Sequence, residues 1–410
     1  MEIKNVFVAG AGFMGNGIAQ MAALAGYHVK MHDLSAGALE AGMAGIERSL
    51  YRLLAKERIT KEQSGAALAN LTITTALTDA RDADIVIEAV PERLDLKREV
   101  FARLEEICAP GAILATNTSA ISITSIAAAT RTPGRVVGTH FFGPVPVMRL
   151  CEIIGGLLTS KETVGSADAW ARSLGKDTVV VGRDHAGFIA NRVSIPGSLE
   201  AVRIVDEGAA TPFEVDRAVM FGSQEGVGPL QILDHAGIDV SCNAAMAIYE
   251  DTRDPRFYPP PLMRRMVAAN VLGRKTGTGF YDYSTGEKNV NNRLILTGAP
   301  AAAGSAPGSE PGVLMMRVLL PMMLEAARLV EAGIAPVADI DKAMRLGFNF
   351  PSGPLELADN MGADEVLDRA DSIYGATGNG NYLAPPLLRS MVRDGSLGRK
   401  TGRGFHVYVD

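Results

Sequence analysis

The sequence is poor in cysteine, and its few cysteines are far apart. Only three occur in 410 residues (Cys108, Cys151 and Cys242), so their number is odd and no short spacing links them. Such cysteines fit neither a disulfide framework nor a metal-binding cluster, and we predict no metal site. A chain without disulfides is typical of a reducing compartment, so we expect a cytoplasmic protein.

Positive charge is also scarce, with 40 Lys and Arg against 46 Asp and Glu and a net charge of −6. A nucleic-acid-binding surface needs clustered basic residues in excess, so we expect no nucleic-acid partner. No apolar run approaches the roughly 20 residues of a membrane span. Met1 leads almost directly into VFVAG without a basic leader, so we expect neither a membrane partner nor a targeting segment. The length predicts two or three domains.

Short apolar runs alternate with longer amphipathic runs over residues 1–186, which indicates a doubly wound α/β domain of the Rossmann type. The runs that we predict to be buried parallel strands are VFVAG, YHVKMHD, LTITT, DIVIEAV, AILATNT and VVGTHFF. From Asn191 onward the pattern becomes helical.

The helical part of the chain is repeated. Residues 192–283 align with residues 317–408 at a constant offset of 125 without a gap, and 38 of the 92 aligned positions are identical. Compositional bias cannot hold one register over that length, so the match indicates a duplicated domain. The stretch between the copies is rich in Ala, Gly, Pro and Ser, as linkers are. We therefore predict a Rossmann-type sheet (1–186) followed by two tandem all-α domains, copy 1 (187–285) and copy 2 (313–410), joined by a linker (286–312).

A glycine-rich turn follows the first predicted strand. The segment GAGFMG, residues 10–15, stands between VFVAG and a helical pattern, as in turns that bind a dinucleotide pyrophosphate at a helix N-terminus. The next strand ends in Asp33, eighteen residues beyond Gly15. A carboxylate there accepts hydrogen bonds from a ribose 2′-hydroxyl and repels a 2′-phosphate, so NAD is favoured over NADP. The alternative is a structural glycine turn with a surface aspartate.

An imidazole and a carboxylate occur within one mostly apolar stretch, GTHFFGPVPVMRLCEII. His140 is a natural base for a hydroxyl proton, because its unperturbed pKa of about 6.5 lies near working pH. Glu152 lies beyond a Pro-x-Pro reversal that could return the chain, and a carboxylate on one ring nitrogen would orient the imidazole. The alternative is a satisfied core histidine without a catalytic role.

Three further groups of polar residues are candidates for ligand contacts. Ser119 follows the predicted strand AILATNT at its carboxyl end, where open α/β sheets bind ligands, but it could equally belong to a helix cap. Asn191 begins the first helix of copy 1, where it could face a substrate or simply cap the helix. Ser49, Arg52 and Lys56 share one helix face, which could meet phosphates or be a solvated surface.

Taken together, these motifs resemble those of the 3-hydroxyacyl-CoA dehydrogenase family. The resemblance covers nearly the whole chain, and the doubled helical domain looks like the dehydrogenase part of multifunctional fatty-acid oxidation proteins. The segments that carry it are GAGFMGNGIA, IEAVPE, ATNTSAISIT, GTHFFGPVPVMRLCEII, DHAGFIANR, LEAVRIVDEG and LGRKTGTGFYDY.

The resemblance implies a role for each candidate position. His140 would be the general base or acid with Glu152 as its partner, and Ser119 and Asn191 would hold the substrate oxygen. Coenzyme A would lie against Ser49, Arg52, Lys56 and Ser119. The positions implied for NAD binding are Gly10, Gly12, Phe13, Met14, Gly15, Asp33, Glu92, Lys97, Asn117, Ser119, Gly143 and Lys275.

The sequence departs from the family pattern at two places. Gly143 stands where the family usually has Asn, so no side-chain amide is present at a position expected near the nicotinamide. Copy 1 reads SQEGVGPLQILDHAG where the family favours a pattern nearer FPxGPxxLxDxxG, which copy 2 keeps as FNFPSGPLELADNMG.

The expected reaction is the NAD-dependent, reversible oxidation of a 3-hydroxyacyl-CoA to a 3-oxoacyl-CoA. One alternative is a dehydrogenase of a free hydroxy acid or sugar acid, and another is a non-catalytic protein that keeps the fold. Copy 2 has Met316 at the position equivalent to Asn191, so we expect it to carry no active site. We expect the two copies to pack as an internal pseudo-dimer, in a monomer or within a homodimer.

Overall fold

The computed structural model of the protein describes residues 2–220, 226–284, 289–290 and 310–408. The chain divides into two compact units, residues 1–188 and residues 189–410, so both helical copies belong to the second unit. None of the helices described is both long and apolar enough to cross a membrane.

The first unit is built on one eight-stranded sheet with the strand order β3-β2-β1-β4-β5-β6-β7-β8. Neighbouring strands are parallel except β6 and β7, which are antiparallel. The six strands predicted from the sequence correspond to β1–β6, and β7 and β8 extend the sheet. The strands are β1 (Asn5–Ala9), β2 (His28–His32), β3 (Leu71–Thr74), β4 (Ile85–Glu88), β5 (Ile113–Thr116), β6 (Val136–Phe141), β7 (Leu150–Gly155) and β8 (Asp177–Val181).

The central strands are short buried runs, and helices cover them. Val8 and Ile87 of the sheet pack in one apolar cluster with Ile18, Ile46 and Trp170 from the helices. The strand order reverses between β1 and β4, which creates the switch point at whose carboxyl edge such sheets bind ligands. The predicted doubly wound Rossmann-type fold is thus confirmed. The helices are α1 (Phe13–Leu24), α2 (Ala36–Ala55), α3 (Lys61–Ala69), α4 (Leu94–Ile107), α5 (Ile123–Ala127) and α6 (Lys161–Ser173).

The second unit is helical, and its two halves follow the repeat. Copy 1 contains α7 (Ala190–Asp206), α8 (Pro212–Ala218), α9 (Pro229–Ala236), α10 (Ile238–Thr252), α11 (Pro261–Ala268) and the short β9 (Tyr281–Asp282), which pairs with β10 (Asn289–Val290). Copy 2 contains α12 (Pro311–Glu331), α13 (Val337–Phe348), α14 (Pro354–Met361), α15 (Ala363–Thr377) and α16 (Pro386–Arg393). The predicted linker, 286–312, lies largely outside the described residues; its described parts are β10 and residues 310–312, where α12 begins.

The two copies pack on each other through their first helices, α7 and α12, and the buried ion pairs between them are reciprocal. Arg192 Nε lies 2.7 Å from Glu325 Oε1, and Arg317 Nη2 lies 2.6 Å from Glu200 Oε1. The offset of 125 relates Arg192 to Arg317 and Glu200 to Glu325. The same pair therefore occurs twice, as it would across a two-fold axis, so the expected internal pairing of the copies is present in the fold.

Candidate active site

The glycine-rich turn joins β1 to α1 with little space for side chains. Gly10 has a φ of +115°, a left-handed region that favours glycine, and a Cβ there would lie 2.6 Å from the Ala89 carbonyl oxygen. A Cβ on Gly15 would lie 1.8 Å from the Gly10 carbonyl oxygen, so only glycine lets the helix approach the strand. Gly12 is the N-cap of α1 and has no side chain to cap its first turn, which suits an anion at this helix terminus.

Asp33 follows β2 and lies beside the same turn. Its Oδ2 accepts a hydrogen bond from the Ala11 N–H at 3.0 Å, and its Oδ1 accepts one from the Ser35 N–H at 3.1 Å. The two bonds fix the carboxylate next to the N-terminus of α1. The uncapped N-terminus of α1 suits the pyrophosphate of a dinucleotide, and the fixed Asp33 carboxylate suits its ribose hydroxyls. These residues therefore fit NAD.

His140 and Glu152 face each other across the antiparallel strands β6 and β7, where they are direct register partners. His140 Nδ1 lies 2.7 Å from Glu152 Oε2, and the side chains are buried, with His140 only 4% exposed and Glu152 fully enclosed. The imidazole also contacts the rings of Phe142 and Phe188, at centroid distances of 4.4 and 5.8 Å. A carboxylate that accepts from Nδ1–H leaves Nε2 as the acceptor, which is the tautomer that a base requires.

Residues 117–120 leave the carboxyl end of β5 and run beside the end of β6. Asn117 Oδ1 accepts a hydrogen bond from the Phe141 N–H at 2.9 Å, which ties this segment to the residue that follows His140. Ser119 is partly exposed. Since β5 and β6 are parallel neighbours, Ser119 and His140 belong to the same edge of the sheet.

Glu92 binds the same segment through one carboxylate oxygen. Its Oε1 accepts hydrogen bonds from Thr118 Oγ1 at 2.6 Å, from the Ser119 N–H at 2.8 Å and from the Ala120 N–H at 3.2 Å. Its Oε2 lies 3.2 Å from Lys97 Nζ. Burial disfavours the charged form of Glu92, but the Lys97 ammonium and these hydrogen bonds together hold the pKa of the carboxyl below its ordinary value.

Gly143 lies against the glycine-rich turn. A Cβ on Gly143 would lie 2.5 Å from Phe13 Cε1 and 3.2 Å from Met14 Sδ. Three positions predicted to bind the cofactor are therefore in contact with one another. A larger side chain at 143 would require the ring of Phe13, which is 65% exposed, to move.

The predicted phosphate-binding face lies on α2, which passes beside the glycine-rich turn. A Cβ on Gly42 of this helix would lie 2.8 Å from the Ala11 carbonyl oxygen, so the two elements are in close contact. Arg52 and Lys56 are exposed and Ser49 is partly exposed. The helix ends at Ala55 and Lys56 is its C-cap residue, so Lys56 lies at the end of the face rather than within it.

Asn191 and Lys275 belong to the second compact unit. Asn191 is inside α7, whose N-cap is Ile189, so the alternative that Asn191 caps this helix is wrong. Lys275 Nζ lies 2.7 Å from Asp239 Oδ2, and the equivalent Lys400 and Asp364 make the same 2.7 Å contact in copy 2. The recurrence of this pair in copy 2 indicates that it holds the LGRKTG turn in both copies.

Asp184 is a structural partner that the sequence analysis did not identify. Its carboxylate accepts hydrogen bonds from Ser122 Oγ at 2.7 Å, from the Ile123 N–H at 3.0 Å and from the Thr124 N–H at 2.6 Å, and so binds the N-terminus of α5. The motifs NTSAISIT and DHAGFIANR meet here, about 60 residues apart in sequence. A single sequence carries no signal of this contact, because the spacing follows from the path of the chain around β6–β8.

The family of the protein follows from matches to both units. The family model for the NAD-binding domain of 3-hydroxyacyl-CoA dehydrogenase matches residues 5–185, and the model for the C-terminal domain matches residues 187–283 and again residues 312–408. The chain belongs to the 3-hydroxyacyl-CoA dehydrogenase family. The NAD-binding domain of this dehydrogenase corresponds to the sheet unit, and the C-terminal domain model matches both helical copies.

Some relatives of the chain match about two thirds of it, and others match nearly all of it. A probable 3-hydroxybutyryl-CoA dehydrogenase of Bacillus subtilis is 44% identical over 283 residues, which cover 69% of this chain and 98% of the relative. The 3-hydroxyadipyl-CoA dehydrogenase of Escherichia coli is 32% identical, with 95% of this chain and 97% of the relative covered. A crystal structure of a 3-hydroxybutyryl-CoA dehydrogenase from Escherichia coli covers 96% of this chain and 100% of its own, with a TM-score of 0.84 and 32% identity.

The second departure from the family pattern, in the SQEGVGPLQILDHAG segment of copy 1, lies only partly within the described residues. Residues 221–225, which include the start of SQEG, lie outside the described residues. Beyond them the two copies agree: Gly228 and Pro229 begin α9 as Gly353 and Pro354 begin α14. The buried Asp216 and Asp341 accept hydrogen bonds from the first N–H groups of these helices in the same way.

Proposed function

We propose that the protein catalyses the NAD-dependent, reversible oxidation of (S)-3-hydroxyacyl-CoA to 3-oxoacyl-CoA, with His140 as the general base or acid. The observation that carries the proposal is the buried 2.7 Å contact between His140 and Glu152 at the ligand-binding edge of an NAD-type sheet. The names of the relatives differ in the acyl group, 3-hydroxybutyryl or 3-hydroxyadipyl, and so support the class of substrate rather than its chain length.

Bound NAD would supply the hydride acceptor for the oxidation, and the residues of the chain would handle the proton and the oxygen of the substrate. Glu152 accepts the hydrogen bond from Nδ1–H of His140, which leaves Nε2 to take the hydroxyl proton of the substrate. The carboxylate then stabilises the imidazolium that forms. In the reverse direction the imidazolium returns this proton to the oxygen.

Ser119 and Asn191 would hold the substrate oxygen by hydrogen bonds. The Ser119 hydroxyl is a donor on the segment that Glu92 orders, and Asn191 provides an amide near the start of α7. Phe142 and Phe188 pack on the imidazole and limit access of water, which strengthens the interaction of His140 with Glu152. Ser49, Arg52 and Lys56 would contact coenzyme A, whose phosphates suit a basic face on an otherwise acidic protein.

The internal pairing of the helical copies would replace pairing with a second chain at the same face. Arg192 and Glu200 of α7 already bind Glu325 and Arg317 of α12, so this polar surface is covered within one chain. Light scattering on the full chain and on a variant that lacks copy 2 tests the idea. A full-length dimer whose interface is lost when copy 2 is deleted would contradict it.

Oxidation of NADH with acetoacetyl-CoA, compared with free acetoacetate, tests the reaction. We expect turnover of the CoA ester by the wild type, and a loss of about 100- to 10,000-fold in kcat for His140→Ala, the usual contribution of general acid–base catalysis. Activity on the free acid alone would favour a hydroxy-acid dehydrogenase. Absence of activity over a broad panel of substrates would favour a non-catalytic protein.

A further inference from the structure

A buried lysine holds the connection between the two strands that carry His140 and Glu152. Lys176 directly precedes β8 and is 7% exposed. Its Nζ donates a hydrogen bond to the Met148 carbonyl oxygen at 2.8 Å and a second one to the Val145 carbonyl oxygen. Both acceptors belong to residues 142–149, which join β6 to β7. Lys176 therefore fixes this connection from the side of β8.

The two acceptors are carbonyl groups that a short turn leaves unpaired. The Val147 and Met148 N–H groups both donate to the Pro144 carbonyl oxygen at 2.9 Å, so residues 144–148 form one turn, the Pro-x-Pro turn. The carbonyl groups later in such a turn have no partner within it, and a buried carbonyl without a partner is costly. Lysine side chains can satisfy carbonyls of this kind, and Lys176 does so here.

Helix α1 packs against the same turn. A Cβ on Gly17 would lie 2.9 Å from Val145 Cβ, 3.1 Å from Val145 Cγ2 and 3.5 Å from Pro146 Cδ. Val145 is 1% exposed and belongs to the apolar cluster that α1 shares with the sheet. The Pro-x-Pro turn is thus held by Lys176 through its main chain and by α1 through its side chains.

The residues just ahead of the turn reach the candidate active site. Phe142 packs on the imidazole of His140 at a centroid distance of 4.4 Å, and Gly143 lies against Phe13. A shift of the turn would move both residues, because they directly precede Pro144. The connection also helps to set the register that pairs β6 with β7, as the loop of a hairpin does.

The ammonium of Lys176 forms no ion pair with a carboxylate of the described residues. Burial lowers the pKa of Lys176 to about 8, and only a charge on Cys151 would oppose this. Burial also raises the pKa of the Cys151 thiol, which therefore stays neutral at pH 7. The fold thus keeps a cation where burial disfavours it, which is typical of groups that serve function rather than stability.

We propose that Lys176 is a positioning residue for the dehydrogenase reaction, which holds the Pro-x-Pro turn so that Phe142 and Gly143 keep their places against His140 and Phe13. The inference rests on the proposed function, in which His140 exchanges the proton of the substrate hydroxyl. Lys176 itself would touch neither the substrate nor NAD, since its ammonium is bound to the turn. It acts on the rate through the placement of these neighbours.

The experiment perturbs the turn at both of its contacts and measures kcat, the KM for acetoacetyl-CoA and the thermal midpoint. Lys176→Met removes the ammonium and keeps an unbranched side chain, and Gly17→Ala pushes on Val145 from α1. We expect kcat to fall about 10- to 100-fold in Lys176→Met and about 10-fold in Gly17→Ala, since small displacements have effects of this size. The KM for acetoacetyl-CoA should stay within about 2-fold of the wild type, because the predicted coenzyme A contacts lie on α2 and at its C-cap.

The two changes should not act independently. In Lys176→Met/Gly17→Ala, kcat should lie within about 3-fold of its value in Lys176→Met, because the same turn is already displaced. Effects that multiply in full would show that Lys176 does not act through the turn, and the inference would be refuted. A wild-type kcat in Lys176→Met together with a lower thermal midpoint would give Lys176 a role in stability alone, which also refutes it.

His140→Ala separates this inference from the proposed function. If His140→Ala keeps the wild-type kcat, the proposed function fails and the inference falls with it. If His140→Ala loses activity but Lys176→Met does not, the proposed function stands and only the positioning role is wrong.

Matched variants control for the loss of a lysine and of a helical glycine. Lys30→Met removes a lysine of β2 whose Nζ lies 3.5 Å from the Asp79 carbonyl oxygen, and Gly165→Ala adds a Cβ in α6 with no neighbouring atom within 4 Å. Both should keep the wild-type kcat. If Lys176→Met does not fold, Lys176→Gln keeps a shorter donor in the same place, and its kcat should fall about 10-fold at constant KM for acetoacetyl-CoA. A wild-type kcat in Lys176→Gln would then overturn the inference.

Discussion

Gly197 of α7 packs against Met322 of α12. We predict that replacing either residue by the other lowers the free energy of unfolding, and that exchanging the two residues recovers part of the loss. The offset of 125 makes Met322 of α12 the residue equivalent to Gly197 of α7. In a symmetric interface these two positions would carry the same residue, but here one is glycine and the other is a long methionine. A Cβ on Gly197 would lie 2.4 Å from Met322 Cε, 2.7 Å from Met322 Cγ and 2.6 Å from the Val318 carbonyl oxygen. Met322 is 2% exposed. The methionine thus fills the space that the glycine leaves.

The magnitudes follow from this packing. Gly197→Met should destabilise the helical unit by about 1–3 kcal/mol through overpacking, offset by somewhat under 1 kcal/mol of better helix propensity. Met322→Gly should cost about 3–6 kcal/mol, because it removes a buried side chain and places glycine inside a helix. The exchanged variant, Gly197→Met/Met322→Gly, puts the long side chain on the other helix, where the equivalent Val193 stands in the place of Val318. It should recover about 3 kcal/mol relative to the sum of the single changes.

Thermal unfolding followed by far-UV circular dichroism measures these differences. For a unit of this size, each kcal/mol shifts the midpoint by roughly 2–4 °C, so the recovery should be about 6–12 °C. A matched control is Gly312→Met, since a Cβ at this position of α12 meets no neighbouring atom, and this change should not destabilise. An exchanged variant as unstable as the two single changes combined would refute the complementary packing of Gly197 and Met322.

Three further predictions concern the cofactor, the substrate and pH. Asp33→Asn should raise the KM for NADH about 10-fold or more and weaken discrimination against NADPH, because a charged acceptor for the ribose is lost; unchanged discrimination would contradict the role of Asp33. Arg52→Ala/Lys56→Ala should raise the KM for acetoacetyl-CoA about 10-fold at constant kcat, with an effect that shrinks as salt is added; an equal rise for free acetoacetate would contradict a coenzyme A contact. Burial opposes ionisation of Glu325, but Arg256, Arg192 and Arg328 hold the pKa of its carboxyl below the ordinary 4.5. The ionised carboxylate therefore stabilises the fold above pH 4.5, and this contribution is lost as the pH falls through the lowered pKa. Denaturant unfolding of Glu325→Gln should therefore show a weaker loss of stability below pH 4.5 than the wild type, and parallel pH profiles would refute this.

The family pattern explains much of the sheet unit but not the ion pairs of the buried Lys97. IEAVPE and ATNTSAISIT were recognisable as family segments, yet the contacts among Glu88, Lys97 and Glu92 depend on the ends of β4 and β5 meeting the start of α4. Such contacts join side chains on three elements, and residue spacing alone does not specify them. The family resemblance links Glu92 and Lys97 to the cofactor, but neither it nor residue spacing points to Glu88 as the partner of Lys97.

What the sequence determined by itself is local or periodic: the six strands β1–β6, the glycine turn at Gly10 and Gly15, and the ungapped repeat of the helical copies. These features depend on backbone conformation and on alternation of apolar residues, which neighbouring residues specify. The Pro-x-Pro segment suggested that the chain returns towards His140, but only the tertiary structure decided the register that pairs His140 with Glu152. It also decided that Phe13 lies against Gly143 and that Met322 packs against Gly197. Each of these is a contact between segments distant along the chain, set by close packing of the whole core rather than by any single segment.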